Sequence, residues 1–343
     1  MSEAAKIQIK GLSKAFGDDP DAAVELARNG ASKAELLERH GAVLALYDVD
    51  IDVPPRSLQV VMGLSGSGKS TLVRHINRLI EPTSGRIEVD GENVLAMDEA
   101  RLRDLRRFKI SMVFQKFALL PHRTVTQNVG YGLEIQGVSE EAVRRRALEW
   151  VERVGLSGYE DRFPSQLSGG MQQRVGLARA LATDAEILLL DEAFSALDPL
   201  IRREMQGMLL GLQQELKKTI VFITHDLDEA LTLADRIAIL RDGRIAQSGD
   251  PQEILTQPAD DYVASFTREI NRARSVRIRS IMTPGAEAID GPYIYSDATI
   301  EEALPALAAA PSGFCGVENE DGELVGLVSL QAAIAGLSGT VQK

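Results

Sequence analysis

The sequence contains very little cysteine: one residue, Cys315, in a chain of 343. A single cysteine cannot form an intramolecular disulfide, and it cannot supply a cysteine-based metal cluster. Only four histidines are present, so a histidine-based cluster is not expected either. This scarcity favours a reducing compartment and therefore a cytoplasmic location.

Long apolar runs and an excess of basic charge are also missing. No run approaches the roughly 18–20 apolar residues that span a bilayer. The N-terminus, MSEAAKIQIKG, lacks the apolar core of a signal peptide. The formal net charge of −12 argues against nucleic acid as a partner, because binding it needs basic faces. A hydrophobic content of 44% over this length predicts a globular chain of two or three units.

Residues 63–71, with the sequence GLSGSGKST, fit the phosphate-loop pattern G-x-x-x-x-G-K-[ST]. The loop follows an apolar run at 58–62 that predicts a strand, and it precedes a predicted helix. Glycines let the backbone bring its N–H groups close to phosphate oxygens, and the positive end of the helix favours an anion. We expect Lys69 to contact the outer phosphates of a nucleotide and the Ser70 hydroxyl to hold Mg²⁺.

An apolar run at 187–190 predicts a buried parallel strand, and two acidic residues, Asp191 and Glu192, follow it directly. We expect Asp191 to reach the Mg²⁺ site and Glu192 to orient and deprotonate an attacking water. The alternative is that two acids merely end a strand. The phosphate loop upstream favours the functional interpretation.

Three further features are consistent with nucleotide chemistry. Ser168, Gly169 and Gly170 open a predicted helix at 170–182 and form a second anion site, which suggests that two chains share each nucleotide. Gln115 ends a strand, where its amide oxygen can reach the metal or the water. His225 follows the strand predicted at 219–223, on the ligand side of an α/β sheet, so we expect it to contact the transferred phosphate.

In chain order, Phe16, GLSGSGKST, Gln115, LSGGMQQ, ILLLDEAFSALDP and ITHD resemble the nucleotide-binding subunit of an ABC transporter. They correspond to its aromatic loop, Walker A, Q-loop, signature, Walker B with D-loop, and H-loop, within residues 5–265. Met171 stands where the signature usually has glutamine. The resemblance implies an α/β P-loop NTPase: an ABC-type RecA-like core with an antiparallel β edge, and a helical subdomain at about 116–184.

The resemblance also implies ATP and Mg²⁺ as cofactors, and a homodimer that holds two MgATP molecules at its interface. Ser168 to Gly170 would contact the γ-phosphate of the nucleotide held by the other chain, and Asp198 would lie at the dimer seam. The implied catalytic residues are Glu192, His225, Lys69 and Gln115, and the implied metal site comprises Ser70, Gln115 and Asp191. The implied nucleotide contacts are Phe16, which would stack on adenine, with Gly63, Ser65, Gly66, Ser67, Gly68, Lys69, Ser70, Thr71, Ser168, Gly169 and Gly170.

A narrower resemblance is carried by an insert at 17–41 and by the strings MGLSGSGKST, NRLIEPTSG, FALLPH and DEAFSALDPLIR. Asp19-Pro20 and the capping box Ser32–Glu35 predict two short helices in the insert. These features are similar to the ATPase subunits of glycine betaine, proline betaine and choline importers. That similarity implies a peripheral protein on the cytoplasmic face of the inner membrane, with a separate permease and an extracytoplasmic solute-binding protein.

Three alternatives remain at this point. The chain could serve an importer of another small polar solute such as an amino acid. It could be a soluble ABC ATPase of DNA repair or translation, although it has one ATPase core and no long coiled coil. It could also be a non-catalytic nucleotide sensor, which the intact Lys69, Asp191, Glu192 and His225 disfavour.

The C-terminal part is expected to be separate from the ATPase domain at 1–265. Residues 281–343, with a helix at 298–309 and a hairpin turned at Asp321-Gly322, resemble one CBS module. Such modules work in pairs, so a pair would form between two chains, and Gln331 replaces the acid that often holds a ribose. A basic linker at 266–280 either contacts anionic lipid or is simply solvated. Its arginines are Arg268, Arg272, Arg274, Arg277 and Arg279.

Overall fold

A computed structural model describes residues 4–115, 117–285 and 291–338 of the chain. Two compact units are present, residues 1–245 and residues 246–343. The division lies earlier than the boundary predicted after residue 265. Within the second unit, Gln252 joins residues 250–265 to the segment beyond them: its Nε2 donates to Ser275 O at 2.9 Å and its Oε1 accepts from Arg277 N at 2.8 Å.

The first unit is a mixed α/β structure. Its strands are β1 (Ile7–Phe16), β2 (Val43–Val53), β3 (Leu58–Met62), β4 (Ser84–Val89), β5 (Glu92–Asn93), β6 (Ile110–Val113), β7 (Ile187–Asp191), β8 (Thr219–Thr224), β9 (Arg236–Arg241) and β10 (Arg244–Gly249), in which the division between the units falls. Its helices are α1 (Pro20–Arg28), α2 (Lys33–His40), α3 (Lys69–Ile76), α4 (Glu99–Asp104), α5 (Val125–Ile135), α6 (Glu140–Arg153), α7 (Gly169–Ala182), α8 (Pro199–Leu216) and α9 (Leu227–Leu233).

The predicted antiparallel edge is a four-stranded sheet of order β2-β1-β4-β5. The insert at 17–41 forms the two predicted helices against it. Asp19 caps α1 by accepting a hydrogen bond from Ala22 N at 3.0 Å. Ser32 and Glu35 form the predicted capping box of α2, and Gly41 ends that helix in the left-handed conformation.

The central sheet has the order β10-β9-β3-β8-β7-β6. Strands β6, β7, β8, β3 and β9 pair in parallel, and every residue of β3, β7 and β8 is buried. The carboxyl ends of these strands therefore meet at one edge of the sheet, where the loops that follow them gather. Within the predicted helical subdomain, α5, α6 and α7 pack on one another around buried residues such as Val129, Ala147 and Val175.

The second unit is a small α/β structure. Its helices are α10 (Pro251–Thr256), α11 (Asp261–Thr267), α12 (Arg272–Ser275), α13 (Ile300–Ala309) and α14 (Leu330–Ser338), and its own strands are β11 (Thr283–Pro284), β12 (Tyr293–Tyr295), β13 (Phe314–Glu318) and β14 (Leu324–Ser329). The sheet has the order β11-β14-β13-β12, with β12 parallel to β13 and the predicted hairpin between β13 and β14. Residues 286–290 and 339–343 of the predicted CBS-like module lie outside the described residues.

Four arginines of the predicted linker bond to other residues of the second unit. Arg272 donates to the carbonyl oxygens of Gly336 at 2.7 Å and Leu255 at 3.0 Å. Arg277 donates to the carbonyl oxygen of Asp297 at 2.8 Å. Arg274 and Arg279 pair with the carboxylates of Glu301 and Asp297, and both pairs are exposed to solvent. These arginines therefore fasten the predicted linker to the rest of the second unit.

The partly buried Arg272 should matter more for stability than the exposed Arg274. Arg272→Ala removes two hydrogen bonds and leaves carbonyl oxygens without their partner, so we expect the free energy of unfolding to fall by about 1–3 kcal/mol. Arg274→Ala removes only a surface ion pair, and we expect a change below about 0.5 kcal/mol. Urea denaturation of the two variants would check this difference, and equal losses would contradict the structural role of Arg272.

Candidate nucleotide-binding site

The phosphate loop joins β3 to α3 at the carboxyl edge of the central sheet. Gly63 and Gly68 both have positive φ angles, +150° and +107°. A Cβ atom on Gly63 would lie 2.2 Å from Leu240 O, and one on Gly68 would lie 2.7 Å from Ala45 O. Only glycine fits this conformation so close to two other backbone segments, which explains the glycines at these positions.

Lys69 is buried at the start of α3. Its Nζ donates to Gly63 O at 2.8 Å and Leu64 O at 3.1 Å, and it lies 3.6 Å from Glu192 Oε1. Burial lowers the pKa of the Lys69 ammonium below its usual value, while the Glu192 and Asp191 carboxylates oppose that shift. The loop carbonyls and the carboxylate thus hold the cation beside the predicted phosphate positions.

Ser70 and Asp191, two of the three residues predicted to form a metal site, lie in contact with each other. Ser70 Oγ donates to Asp191 Oδ1 at 2.6 Å, and Asp191 is only 1% exposed. Hydroxyl and carboxylate oxygens are ligands that suit Mg²⁺. The described residues contain no group of three His, Cys, Asp or Glu side chains that could hold a metal ion alone.

Arg74 is a member of this site that the sequence analysis missed. Its NH2 donates to Asp191 Oδ2 at 2.9 Å. Ser70 and Arg74 are four residues apart in α3 and so lie on one face of the helix. That spacing was visible in the sequence, but nothing in the motif marks Arg74 as functional.

Gln115 and Glu192 also meet at this edge. Gln115 Nε2 donates to Glu192 Oε2 at 3.0 Å. Glu192 has a φ of +47°, a left-handed conformation that is uncommon for a residue other than glycine. Such conformations concentrate at functional sites, where the surrounding structure holds a side chain in one direction. Lys69, Gln115 and Glu192 thus form one connected group.

These residues line a cavity of about 600 Å³. Its lining residues are Lys33, Leu37, Val43, Leu44, Ala45, Ser65, Gly66, Gly68, Lys69, Ser70, Thr71, Gln115, Glu192 and Asp242. The predicted set is therefore joined by residues from the insert, from β2 and from the turn after β9. Phe16 is not among the lining residues: it lies opposite Val43 in the β1–β2 pair, and Lys14 Nζ lies 4.8 Å from the centre of its ring.

The signature residues lie elsewhere in the same chain. Ser168 caps α7 by accepting a hydrogen bond from Met171 N at 3.3 Å, and a Cβ atom on Gly170 would lie 2.8 Å from Ile201 Cγ2. Ser168 and Gly170 line a different cavity, of about 260 Å³. His225 is exposed directly after β8 and is not among the lining residues of either cavity. Ser168 and Gly170 therefore do not line the cavity at the phosphate loop of their own chain. His225 follows Thr224, which pairs with Met62 at the end of β3, so it lies at the same edge of the sheet as the loop.

A family model described as ABC transporter matches residues 46–195. The chain belongs to the ATP-binding proteins of ABC transporters, a family of ATPases. It is 53% identical to the glycine betaine transport ATP-binding protein OpuAA of Bacillus subtilis, over 81% of this chain and 66% of that protein. It is 48% identical to the glycine betaine/carnitine transport ATP-binding protein GbuA of Listeria monocytogenes, over 94% of this chain and 80% of that protein. Identity to the trimethylamine N-oxide transport system ATP-binding protein TmoW of Ruegeria pomeroyi is 47%, over 96% of each chain.

Solved structures of ATP-binding cassettes share the fold. The post-hydrolysis dimer of the cassette MJ0796 bound to ADP and Pi has a TM-score of 0.61 and 32% identity, covering 71% of this chain and 98% of that chain. The cbiO1 protein of Clostridium perfringens has a TM-score of 0.62 and 26% identity, covering 75% of this chain and 93% of that chain. These comparisons confirm the predicted P-loop NTPase fold.

Proposed function

We propose that this chain is the ATP-hydrolysing subunit of an importer for a quaternary-ammonium osmolyte such as glycine betaine, proline betaine or choline. The observation that carries the catalytic part is the convergence of Lys69, Ser70, Gln115, Asp191 and Glu192 around one phosphate loop. The solute class rests on the relatives, since several at close to half identity are named for glycine betaine or trimethylamine N-oxide transport. These names favour osmolytes over an amino acid or a non-transport role.

The residues divide the hydrolysis step between them. Lys69 would bind the outer phosphates. Ser70 and Asp191 would hold Mg²⁺, which would neutralise negative charge on the phosphate oxygens. Water forms a bond to the γ-phosphorus, the bond from that phosphorus to the oxygen of ADP breaks, and Glu192 accepts a proton from the water. Gln115 fixes the Glu192 carboxylate through its amide, and His225 contacts the γ-phosphate in the assembled site.

Two copies of the chain are needed for the complete site. Ser168, Gly169 and Gly170 begin α7 away from the cavity that the phosphate loop of the same chain lines. The anion site at the start of that helix is therefore available to a nucleotide held by a second copy. The dimeric form of the related MJ0796 cassette supports the same arrangement. ATP binding would close this dimer, and hydrolysis would reopen it.

A permease would transmit that movement. A cavity of about 370 Å³ is lined in part by Arg103, Arg107, Phe114, Tyr131 and Ile135, and it is a candidate contact site for the permease. Its apolar floor and its arginines suit an amphipathic segment of a membrane protein. No helix among the described residues has the length and apolar composition to cross a bilayer. The chain would thus act as a peripheral subunit at the cytoplasmic face of the inner membrane, and an extracytoplasmic binding protein would deliver solute to the permease.

Residues 281–343 would act as a single CBS-like module that pairs with that of the other copy. Tyr293 and Tyr295 of β12 and Phe314 of β13 are exposed large side chains that pairing could cover. Contact with anionic lipid would depend on Arg274 and Arg279, because Arg272 and Arg277 bond to backbone carbonyls of the unit. If Arg274 and Arg279 contact lipid, neutralising them should make the rate of ATP hydrolysis in proteoliposomes depend less on salt concentration. An unchanged salt dependence would contradict the lipid contact.

Uptake by the assembled transporter tests the proposed function. The chain, reconstituted in proteoliposomes with its permease and binding protein, should drive uptake of labelled glycine betaine that depends on ATP. Unlabelled proline betaine or choline should compete, and glutamine should not. Competition by glutamine alone would favour the amino-acid alternative, and ATP hydrolysis without any association with a permease would favour a soluble ATPase.

A further inference from the structure

Three exposed apolar side chains lie at the edge of the nucleotide cavity. Phe16 is 42% exposed, Leu37 56% and Val43 51%. Phe16 and Val43 are direct partners across β1 and β2, so their side chains lie on the same face of that sheet. Val43 and Leu37 both line the cavity that the phosphate loop lines. The cavity thus combines a polar, phosphate-binding part with an apolar part made by β2 and α2.

Helix α2 is held firmly against the antiparallel sheet. Leu36 is fully buried in a small core with Ala15, Ala42 and Leu44, and the capping box and the Gly41 cap fix both ends of the helix. Leu37 follows Leu36 directly, so it leaves this core and faces the cavity. A side chain on an anchored helix offers a pre-organised contact surface, because little conformational freedom remains to be lost on binding.

Polar groups accompany the apolar surface. Lys33, the first residue of α2, and Asp242, in the turn after β9, line the same cavity. Burial lowers the pKa of the Lys33 ammonium below its usual value, and the Asp242 carboxylate opposes that shift. The ammonium is a hydrogen-bond donor and the carboxylate an acceptor. Neither residue belongs to a phosphate-binding motif.

The parts of ATP differ in what they can contact. Its triphosphate is strongly anionic and its ribose is polar, so only the purine base has an apolar face. With the triphosphate on the loop at 63–71, the base is the part of the molecule that matches exposed leucine and valine side chains. The base also carries polar edge groups that match a nearby donor and acceptor.

We propose that helix α2 of the insert is a nucleotide-recognition element, in which Leu37 and Val43 pack on the purine base and Lys33 and Asp242 bind its polar edge or the ribose. This inference rests on the proposed ATP-binding function and deepens it. It gives the insert a role in binding, whereas the sequence motifs assign the base only to Phe16.

Comparing the affinities of two ligands, one with and one without the base, distinguishes contacts to the base from contacts to the phosphates. Calorimetric titration would compare MgATP with magnesium tripolyphosphate, which lacks the base and the ribose. Leu37→Ala keeps a good helix former at an exposed position, so α2 should remain folded. We expect its Kd for MgATP to rise about three- to tenfold, as expected for the loss of part of a leucine side chain's apolar contact. Its Kd for tripolyphosphate should be unchanged.

The neighbouring Glu38→Ala serves as the control, because Glu38 is exposed on the same helix and does not line the cavity. Both of its dissociation constants should match those of the unchanged chain. Lys33→Met should also weaken MgATP binding. Wild-type MgATP affinity in Leu37→Ala would overturn the inference and leave the proposed function intact, as would equal weakening of both ligands. Failure of the unchanged chain to bind MgATP would overturn both.

Discussion

Glu192→Gln should retain ATP binding and lower steady-state ATP hydrolysis by at least about 100-fold, the usual size of a general-base contribution. Glutamine keeps the shape of the side chain and an oxygen that can accept the hydrogen bond from Gln115 Nε2, but it cannot take a proton from water. The substitution changes only the end of the side chain and leaves the left-handed backbone at residue 192 as it is, so the variant should fold. Phosphate release and nucleotide titration would measure the two properties separately.

Glu25→Gln is the matched control for this variant. Glu25 lies on α1 in an exposed ion pair with Arg28, at 2.6 Å, and does not line the nucleotide cavity. Loss of one exposed ion pair has little effect, so hydrolysis by this variant should stay close to that of the unchanged chain. Near-normal hydrolysis by Glu192→Gln would refute the role of Glu192 as the base.

The second large effect is expected at the backbone of the phosphate loop. In Gly63→Ala, the new Cβ atom would lie 2.2 Å from Leu240 O and 2.8 Å from Ser67 Oγ, so either the loop or β9 must move. We expect MgATP affinity to fall at least about 100-fold, because displaced N–H groups no longer converge on the phosphates. The free energy of unfolding should fall by about 1–3 kcal/mol, the usual cost of overpacking.

Gly207→Ala provides a control with the same chemical change. Gly207 lies in the exposed middle of α8, and a Cβ atom there meets nothing within 4 Å. Alanine favours the helix, so this variant should be more stable by about 0.5–1 kcal/mol and should bind MgATP normally. Thermal unfolding and nucleotide titration of both variants would check the comparison. MgATP binding by Gly63→Ala at normal affinity would show that the loop tolerates a side chain.

The sequence predicted those parts of the site that local patterns encode. The glycines at 63, 66 and 68 all have the positive φ angles that a phosphate loop requires, and the caps at Asp19 and Ser32 correctly predicted both helices of the insert. Ser70 and Asp191 were predicted to share a metal site, and they lie in contact because β3 and β7 end at the same edge of the sheet. These predictions rest on geometry that neighbouring residues determine.

Other parts depend on contacts that local patterns do not contain. Lys33 and Leu37 line the nucleotide cavity because α2 packs on β2, a tertiary contact that no spacing in the sequence reveals. The pairing of Arg74 with Asp191 joins residues more than a hundred positions apart. Helices α10 and α11 were not predicted, and α10 is bonded to later residues of the second unit through Gln252 and through the carbonyl oxygen of Leu255.

The two partners of Asp191 have a consequence for the resting protein. A buried carboxylate without a neutralising neighbour destabilises a fold by several kcal/mol. Here a guanidinium and a hydroxyl already accompany the charge, so these two groups offset the cost of burying Asp191 without a bound cation. An ATPase releases its products in every cycle and must keep its fold in the interval when the site holds no nucleotide. The Arg74 contact stabilises the fold of each chain during that interval.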